Sequence, residues 1–567
     1  MKKLTPVILI TSLLFTSCGI KPINDNDLTL IKQEIPLNNH TKEYNLVNES
    51  ITSYFYEEGN VPYIDLATFV QGLDGFYELE GFNFDINPNI NEATYKWNAN
   101  NNPYDLTVNW AKETLKVNSM DYFNHLKAIE VTDYGAHSEW AGVEATKEDA
   151  VTFKLQPYNF DILYYNDLVL VPFPILNTLF CATNQTNIIY NGHDYEFFFQ
   201  EFSEEEMEDL RKSEFNAKLA PLDVREASKN GLLFTLDYFY GLKDYKGIDR
   251  GFANYISDAD LEKLDSQIPG TFSEAYYNIL FKQLDELHTG VNSLSIYNRL
   301  NADPIMDIQN VGNTLISHSR TYWDLFDSYN ATFGEYRPVQ FEGNTAFIKF
   351  DGFSIAPVAD LYDENGNLKP DAWEIDTYSL MLKAMEEIKT RPYIENIVVD
   401  LSTNGGGTIG ALLTSLGFLT NEDIEFTTFD TLSNYGRIDY YKIDSDNDGD
   451  YEDDDGYPEY NWHILSSRAS FSAANAFIAI ASNMGIATII GQTSGGGMAG
   501  VMPGALMDGT TFRISSNFTI RVPERLGRNK INFKEIESGI TPDYEIPYAY
   551  FYDLAYINDF INNGYEG

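Results

Sequence analysis

Two segments of the chain carry residue types that could perform acyl transfer: NIVVDLSTNGGG at 396–407 and SFSAANAFIAIASNMGIATIIGQTSGGG at 470–497. Ser472 opens an alanine-rich stretch, so its hydroxyl would stand at a helix start. Three glycines, Gly405 to Gly407, leave the backbone of the first segment free to turn its N–H groups outward. A serine facing such a strand end can attack a carbonyl while backbone donors stabilise the developing oxyanion. The donors expected are the N–H groups of Gly406 or Gly407 and of Ala473, the residue after the nucleophile. Each segment alone is also ordinary structure, because serine is a preferred helix N-cap and strand–Gly–Gly turns are common. Asn404 and Asp400 are expected to fix the turn and the strand end.

These groups need a strand, a helix and a second strand to hold them. The apolar run Ile397-Val398-Val399 reads as a buried strand ending at Asp400, AANAFIAIAS as a helix, and ATIIG as the next strand. In order and sequence, DLSTNGGG, SFSAAN and IIGQTSGGG resemble the core of the S41 serine peptidases, the C-terminal processing proteases and tricorn core-like enzymes. There a DLRxNxGG segment precedes a SASE-type nucleophile helix and a further strand. The resemblance implies a crotonase-like β-β-α spiral, with Ser472 as nucleophile. SFSAAN departs from the SASE pattern.

LDELHTG, ending a helical stretch, is similar to the family's L-x-D-x-H-[ST] motif, and this implies His288 as general base. The processing proteases instead use a lysine in a TFGKG segment after the serine. Gly497 stands at that position, and no lysine occurs between Lys442 and Lys530, which excludes a Ser-Lys dyad of that form. FKEIESGITPDYEIP resembles the family's closing segment and implies Glu537 as the group that orients the imidazole, with Glu535 as runner-up. TAFIKFDGF at 345–353 follows His288 too closely for a PDZ domain between them, so peptide capture would fall to the N-terminal region or to edge strands.

Between a strand IDYYKI and Ser472 lies DSDNDGDYEDDD. Asp444, Asp446 and Asp448 occupy positions 1, 3 and 5 of an EF-hand-type loop, Gly449 position 6, Asp450 position 7 and Asp455 position 12, where glutamate is usual. The spacing predicts a structural Ca²⁺ site, against the alternative of a solvated acidic loop. No cofactor is expected for catalysis.

The chain has 567 residues, 43% hydrophobic and 14% aromatic, which predicts a multidomain globular protein. A net charge of −47 repels phosphate backbones and argues against nucleic acid as a partner. Lys2 and Lys3 precede an apolar run, Val7 to Phe15, too short for a good membrane span, and Thr16-Ser17-Cys18 resembles a bacterial lipobox. Residues 1–18 are thus expected to be a lipoprotein signal, with Cys18 lipidated and the protein exported and tethered to a bacterial membrane surface. With Cys18 so used, Cys181 reads as a small buried core residue and no disulfide is expected.

The expected organisation is α/β and multidomain: a flexible tether over 19–50, an N-terminal mixed α+β accessory domain over 51–202, a helical segment carrying His288 over 203–340, and an S41 peptidase core over 341–567. Within the accessory domain, NVPYIDLATFVQGL and LVLVPFPILNTLF are similar to each other and weakly resemble strand–helix units of copper amine oxidase-like stalk domains, which bind no copper. The expected activity is hydrolysis of extracytoplasmic proteins or peptides through a Ser-His-(Glu) acyl-enzyme. The alternatives are a catalytically inactive S41-fold peptide-binding lipoprotein and a calcium-dependent surface adhesin.

Overall fold

The computed structural model describes residues 28–99, 102–127, 137–200, 202–213, 216–299, 311–364, 366–451, 455–527 and 530–565. Cys18 and the lipobox lie outside the described residues. Four sheets organise the rest. The central one has the order 339–342, 345–349, 396–400, 461–466, 488–491, 544–545, parallel throughout except for the antiparallel first strand. Its strands are apolar on both faces, as parallel strands between helices must be. Ile397 and Val399 pack with the helices Thr377–Lys389, Ile409–Gly417 and Ala473–Met484, whereas Val398, Leu465 and Ile490 pack with Asn313–Phe333 and Leu554–Asn562.

A second sheet is built around the long strand Thr511–Arg525, which pairs with 290–293, 424–430, 499–505 and 531–534. Strand Ser138–Ala145 from the N-terminal region completes it by pairing with Tyr435–Ile443. The expected boundary at residue 202 is therefore crossed. Buried residues from Ile35 to Ile536 form one contiguous cluster, so the N-terminal region shares its core with the C-terminal half.

The expected tether over 19–50 also needs correction, because Leu30–Asn39 is a strand. It pairs antiparallel with Ser50–Tyr56 and parallel with Tyr195–Phe199 in a seven-stranded sheet. Its polar composition hides a period of two: Ile35 and Leu37 turn inward while the residues beside them face solvent. The two similar segments are indeed strand–helix units, Tyr63–Asp65 leading to Leu66–Gly72 and Leu168–Pro172 leading to Phe173–Leu176. Their strands pair antiparallel as neighbours in that sheet. A five-stranded antiparallel sheet from 82 to 154 stands beside it.

The helical segment starts at Ser203, which forms a capping box with Glu206 on helix Glu204–Lys212. Helices Leu222–Phe239, Asp258–Leu264 and Pro269–Tyr277 follow. The last continues as a π-turn over Asn278–Gln283 and delivers the chain to His288. Arg225 locks this segment to the core. Its side chain is buried against Asp508 and Tyr276, stacks 3.6 Å from the Phe272 ring centroid and donates to the carbonyls of Leu264 and Ser266.

Candidate active site

The candidate site lies at the C-terminal edge of the central sheet, where the strand ends at 349, 400, 466 and 491 release their loops together. Ser472 immediately precedes helix Ala473–Met484 with φ 57° and ψ −120°, a conformation rare outside glycine. Strain of this kind costs about 1–3 kcal/mol and persists only where neighbours over-determine it. Here the Ser472 N–H donates to Gly496 O at 2.9 Å, its carbonyl accepts from Ala476 N–H at 2.9 Å, and the Phe471 N–H donates to Asn404 O at 3.1 Å. These bonds hold the serine at a sharp corner between strand and helix.

The glycine loop presses against that corner. A Cβ on Gly406, whose φ is +108°, would stand 2.8 Å from Ser472 Cβ, 2.9 Å from Phe471 O and 3.0 Å from Ala473 N. The Gly406 N–H, expected as an alternative oxyanion donor, is taken: it donates to Asn404 Oδ1 at 2.8 Å, while Asn404 Nδ2 donates to Phe350 O at 3.1 Å. Asn404 thereby fixes the turn. Gly407 is different. It is exposed, with φ +142°, and neither its N–H nor that of Ala473 meets an acceptor among the described residues. The pair of donors at this corner is thus Gly407 with Ala473.

His288 is set in place by strand Gly290–Ser293, whose pairing with Thr511–Arg525 begins at Gly290↔Arg513. Its backbone N–H donates to Glu286 Oε2 at 2.6 Å, and Thr289 Oγ donates to the other oxygen of the same carboxylate. The imidazole is buried, with its ring centroid 4.6 Å from that of Phe471, the residue before Ser472. Burial lowers its pKa below the usual histidine value, against the pull of Glu286 and with the push of Arg513, so the ring is neutral at neutral pH. Nδ1 has no hydrogen-bond partner among the described residues. No hydrogen bond joins His288 to Ser472 among the described residues.

Glu537 stands close to the same cluster. Its Oε2 accepts from Met498 N–H at 2.8 Å. Burial lifts the carboxyl to about 7; the Met498 N–H opposes this and the Glu286 charge adds to it. Its charge and that of Glu286 both act on the buried Tyr240 hydroxyl, which has no partner among the described residues. Glu286 is therefore the group common to His288 and Glu537, and no direct bond between those two is present among the described residues. The runner-up Glu535 instead pairs with Arg521 at 3.2 Å, half-exposed on the surface.

Three neighbours have no counterpart in the sequence reading. Glu286 lies inside the quoted LDELHTG motif and is identified only by its bonds. His318, on helix Asn313–Phe333, packs its ring 5.7 Å from Phe471, with Nδ1 buried and without a partner among the described residues, and no motif announces it. Lys349 ends a central strand, buried between Asp351 at 2.8 Å and Asp400 at 3.7 Å, with Thr403 Oγ at 2.5 Å. Burial alone would lower its pKa, but the two carboxylates outweigh that and raise it. This lysine is charged and paired, which disqualifies it as a base.

In the acidic loop, carboxylate oxygens of Asp444, Asp446 and Asp448 all lie within 4.8 Å of one another. Asp444 is buried and also receives the N–H groups of Asn447 at 2.6 Å and Gly449 at 3.1 Å. Gly449, with φ +88°, supplies the turn. Asp450 and Asp455 stand outside this carboxylate cluster. The Asp450 N–H donates to Asp448 Oδ1 at 2.9 Å, and Asp455 is buried on the rim of a cavity it shares with Asp446 and Lys389.

The C-terminal edge of the parallel sheet thus brings together a strained serine, two backbone donors without an acceptor among the described residues and a buried histidine, an arrangement whose chemistry suits acyl transfer. Residues 345–546 match the model of peptidase family S41. Solved structures offer looser likenesses. A photosystem II D1 C-terminal processing protease is 16% identical over 38% of this chain and 49% of its own, with a TM-score of 0.26, so the chain spans about half of that protein. Mature CPAF complexed with lactacystin is 14% identical over 60% and 99%, with a TM-score of 0.39. A lipoprotein from Streptococcus agalactiae is 13% identical over 61% and 98%, with a TM-score of 0.36. No curated protein matches the chain.

Proposed function

We propose that the chain is a serine endopeptidase or processing peptidase that hydrolyses extracytoplasmic proteins or peptides. The observation that carries this reading is the strained Ser472 corner with the acceptor-free N–H groups of Gly407 and Ala473 beside it. Ser472 Oγ attacks the peptide carbonyl, the neutral His288 takes its proton, and the two N–H groups stabilise the oxyanion. His288 then protonates the leaving amine, and water hydrolyses the acyl-enzyme by the same steps in reverse order. Glu537, in its carboxylate form, stabilises the imidazolium, with Glu286 holding the histidine loop.

Fluorophosphonate labelling tests the nucleophile. Labelling of the wild type, its loss in Ser472→Ala, and loss of protein-substrate turnover in His288→Ala are the expected results. A folded wild type that takes no label would instead leave the inactive S41-fold binding protein as the reading.

The placement of the protein is part of the same proposal. No helix among the described residues is long and apolar enough to cross a membrane, and attachment is assigned to a lipid on Cys18. Incorporation of labelled palmitate that disappears in Cys18→Ala tests it. The acidic loop is proposed to hold a structural Ca²⁺ through the carboxylates of Asp444, Asp446 and Asp448 alone.

A further inference from the structure

The sequence departs from the S-A-S-E pattern at Asn475, three residues after the nucleophile, and the structure gives that departure a task. We infer that Asn475 is a positioning residue that fixes the loop carrying Glu537 against the nucleophile helix. The inference rests on the peptidase reading above.

Asn475 lies one turn along the helix from Ser472 and is fully buried. Its Nδ2 donates to Ile536 O at 3.0 Å, and its Oδ1 accepts from Ser494 Oγ at 2.7 Å. Ser494 Oγ in turn accepts from Ile540 N–H at 2.7 Å, and the Ser494 N–H donates to Ile540 O at 3.2 Å. Glu537 sits between these two anchor points, 536 and 540. The short loop is closed on itself by the Gly539 N–H, which donates to Ile536 O at 3.1 Å, with Gly539 at φ +85° and no room for a Cβ beside Ser494 O. The other side of the loop is held too: Ser472 N–H donates to Gly496 O, and Gly496 packs on the Glu537 carbonyl so closely that a Cβ there would collide with it. Ser472, Gly496, Glu537 and Asn475 thus form a closed circuit in which the amide is the link between helix and carboxylate-bearing loop.

The chemistry selects the residue type. At this point the side chain must donate to a carbonyl from one terminal atom and accept from a hydroxyl at the other, and a neutral amide presents both. An ionised carboxylate would set an acceptor against the Ile536 carbonyl at a fully buried position, leaving both unpaired. Asn475→Asp is therefore a near-isosteric change that breaks one bond of the link and keeps the helix surface. A purely structural role in packing the helix would disturb Ser472 independently of Glu537. A positioning role acts through Glu537 and vanishes when that carboxylate is gone.

The experiment compares second-order rates of fluorophosphonate labelling in wild type, Asn475→Asp, Glu537→Gln and the double variant. Coupled residues show non-additive effects, so Asn475→Asp is expected to slow labelling roughly 10-fold or more in the wild-type background and less than about 2-fold in the Glu537→Gln background. Ser494→Ala, a milder cut in the same link, is expected to show the same pattern and serves if Asn475→Asp does not fold. Equal losses in both backgrounds, or a wild-type rate in Asn475→Asp, would overturn the inference while leaving the peptidase reading intact. A wild type without label would overturn the peptidase reading, and this inference with it.

Discussion

Gly406→Ala tests the geometry of the nucleophile corner directly. The added methyl would lie 2.8 Å from Ser472 Cβ, 2.9 Å from Phe471 O and 3.0 Å from Ala473 N. Two of these three atoms are backbone, so no side-chain rotation relieves the contact. At φ +108° an alanine is strained whatever the space, which adds about 1–3 kcal/mol. The contact falls on the Ser472–Ala473 peptide, whose N–H has no acceptor among the described residues, and its displacement moves both the attacking oxygen and an oxyanion donor. Loss of one such donor lowers the rate about 10²–10³-fold, and that is the drop expected in fluorophosphonate labelling. Gly405→Ala is the control. Its Cβ would meet nothing within 4 Å, and its φ is not positive, so labelling is expected to stay within about 2-fold of wild type. A Gly406→Ala protein that labels as fast as Gly405→Ala, with the same thermal midpoint, would refute the packing of the glycine loop on the serine.

Three further outcomes are expected. The Glu537 carboxyl, raised to about 7, is protonated below that pH and a carboxylate above it, while His288, lowered by burial, is still neutral there; labelling should therefore rise through about pH 7, and Glu537→Gln should remove this limb and lower the plateau. A limb unchanged in Glu537→Gln would assign it elsewhere. Arg225→Met leaves Asp508 buried without its counter-charge and is expected to cost about 3–5 kcal/mol in denaturant unfolding, part of it recovered by adding Asp508→Asn. Millimolar Ca²⁺ should raise the thermal midpoint of the wild type and not of Asp444→Ala, Asp448→Ala; no shift in the wild type would reduce the loop to a solvated acidic turn.

Much of the central layer could be read from local pattern. The run at 397–399 followed by glycines, the alanine-rich stretch after Ser472 and ATIIG are each a buried strand or helix because apolar content and period leave little else for them to be. Ser203 with Glu206 marks a helix start for the same local reason. The strand Leu30–Asn39 was hidden because its partners, 50–56 and 195–199, supply what its polar composition lacks. Strand Ser138–Ala145 is equally opaque, since most of its residues remain exposed and its only reason to be a strand is the edge of Tyr435–Ile443.

The sequence by itself determined the reactive vocabulary: a serine at a helix start, a glycine loop that can approach it, a histidine after a helical run, and aspartates at loop spacing. These are contiguous motifs, and short-range sterics and hydrogen bonding suffice to interpret them. The tertiary structure alone decided which member of each set is available. It placed Gly406's N–H on Asn404 and left Gly407's without an acceptor among the described residues, sent Glu535 to Arg521 and Glu537 inward, charged Lys349 with two carboxylates, and gave Asn475 its link to the Glu537 loop. Apart from the Asn404–Gly406 and Lys349–Asp351 contacts, which span only two residues, each choice depends on a partner distant in sequence, and that cannot be read from residue type and spacing.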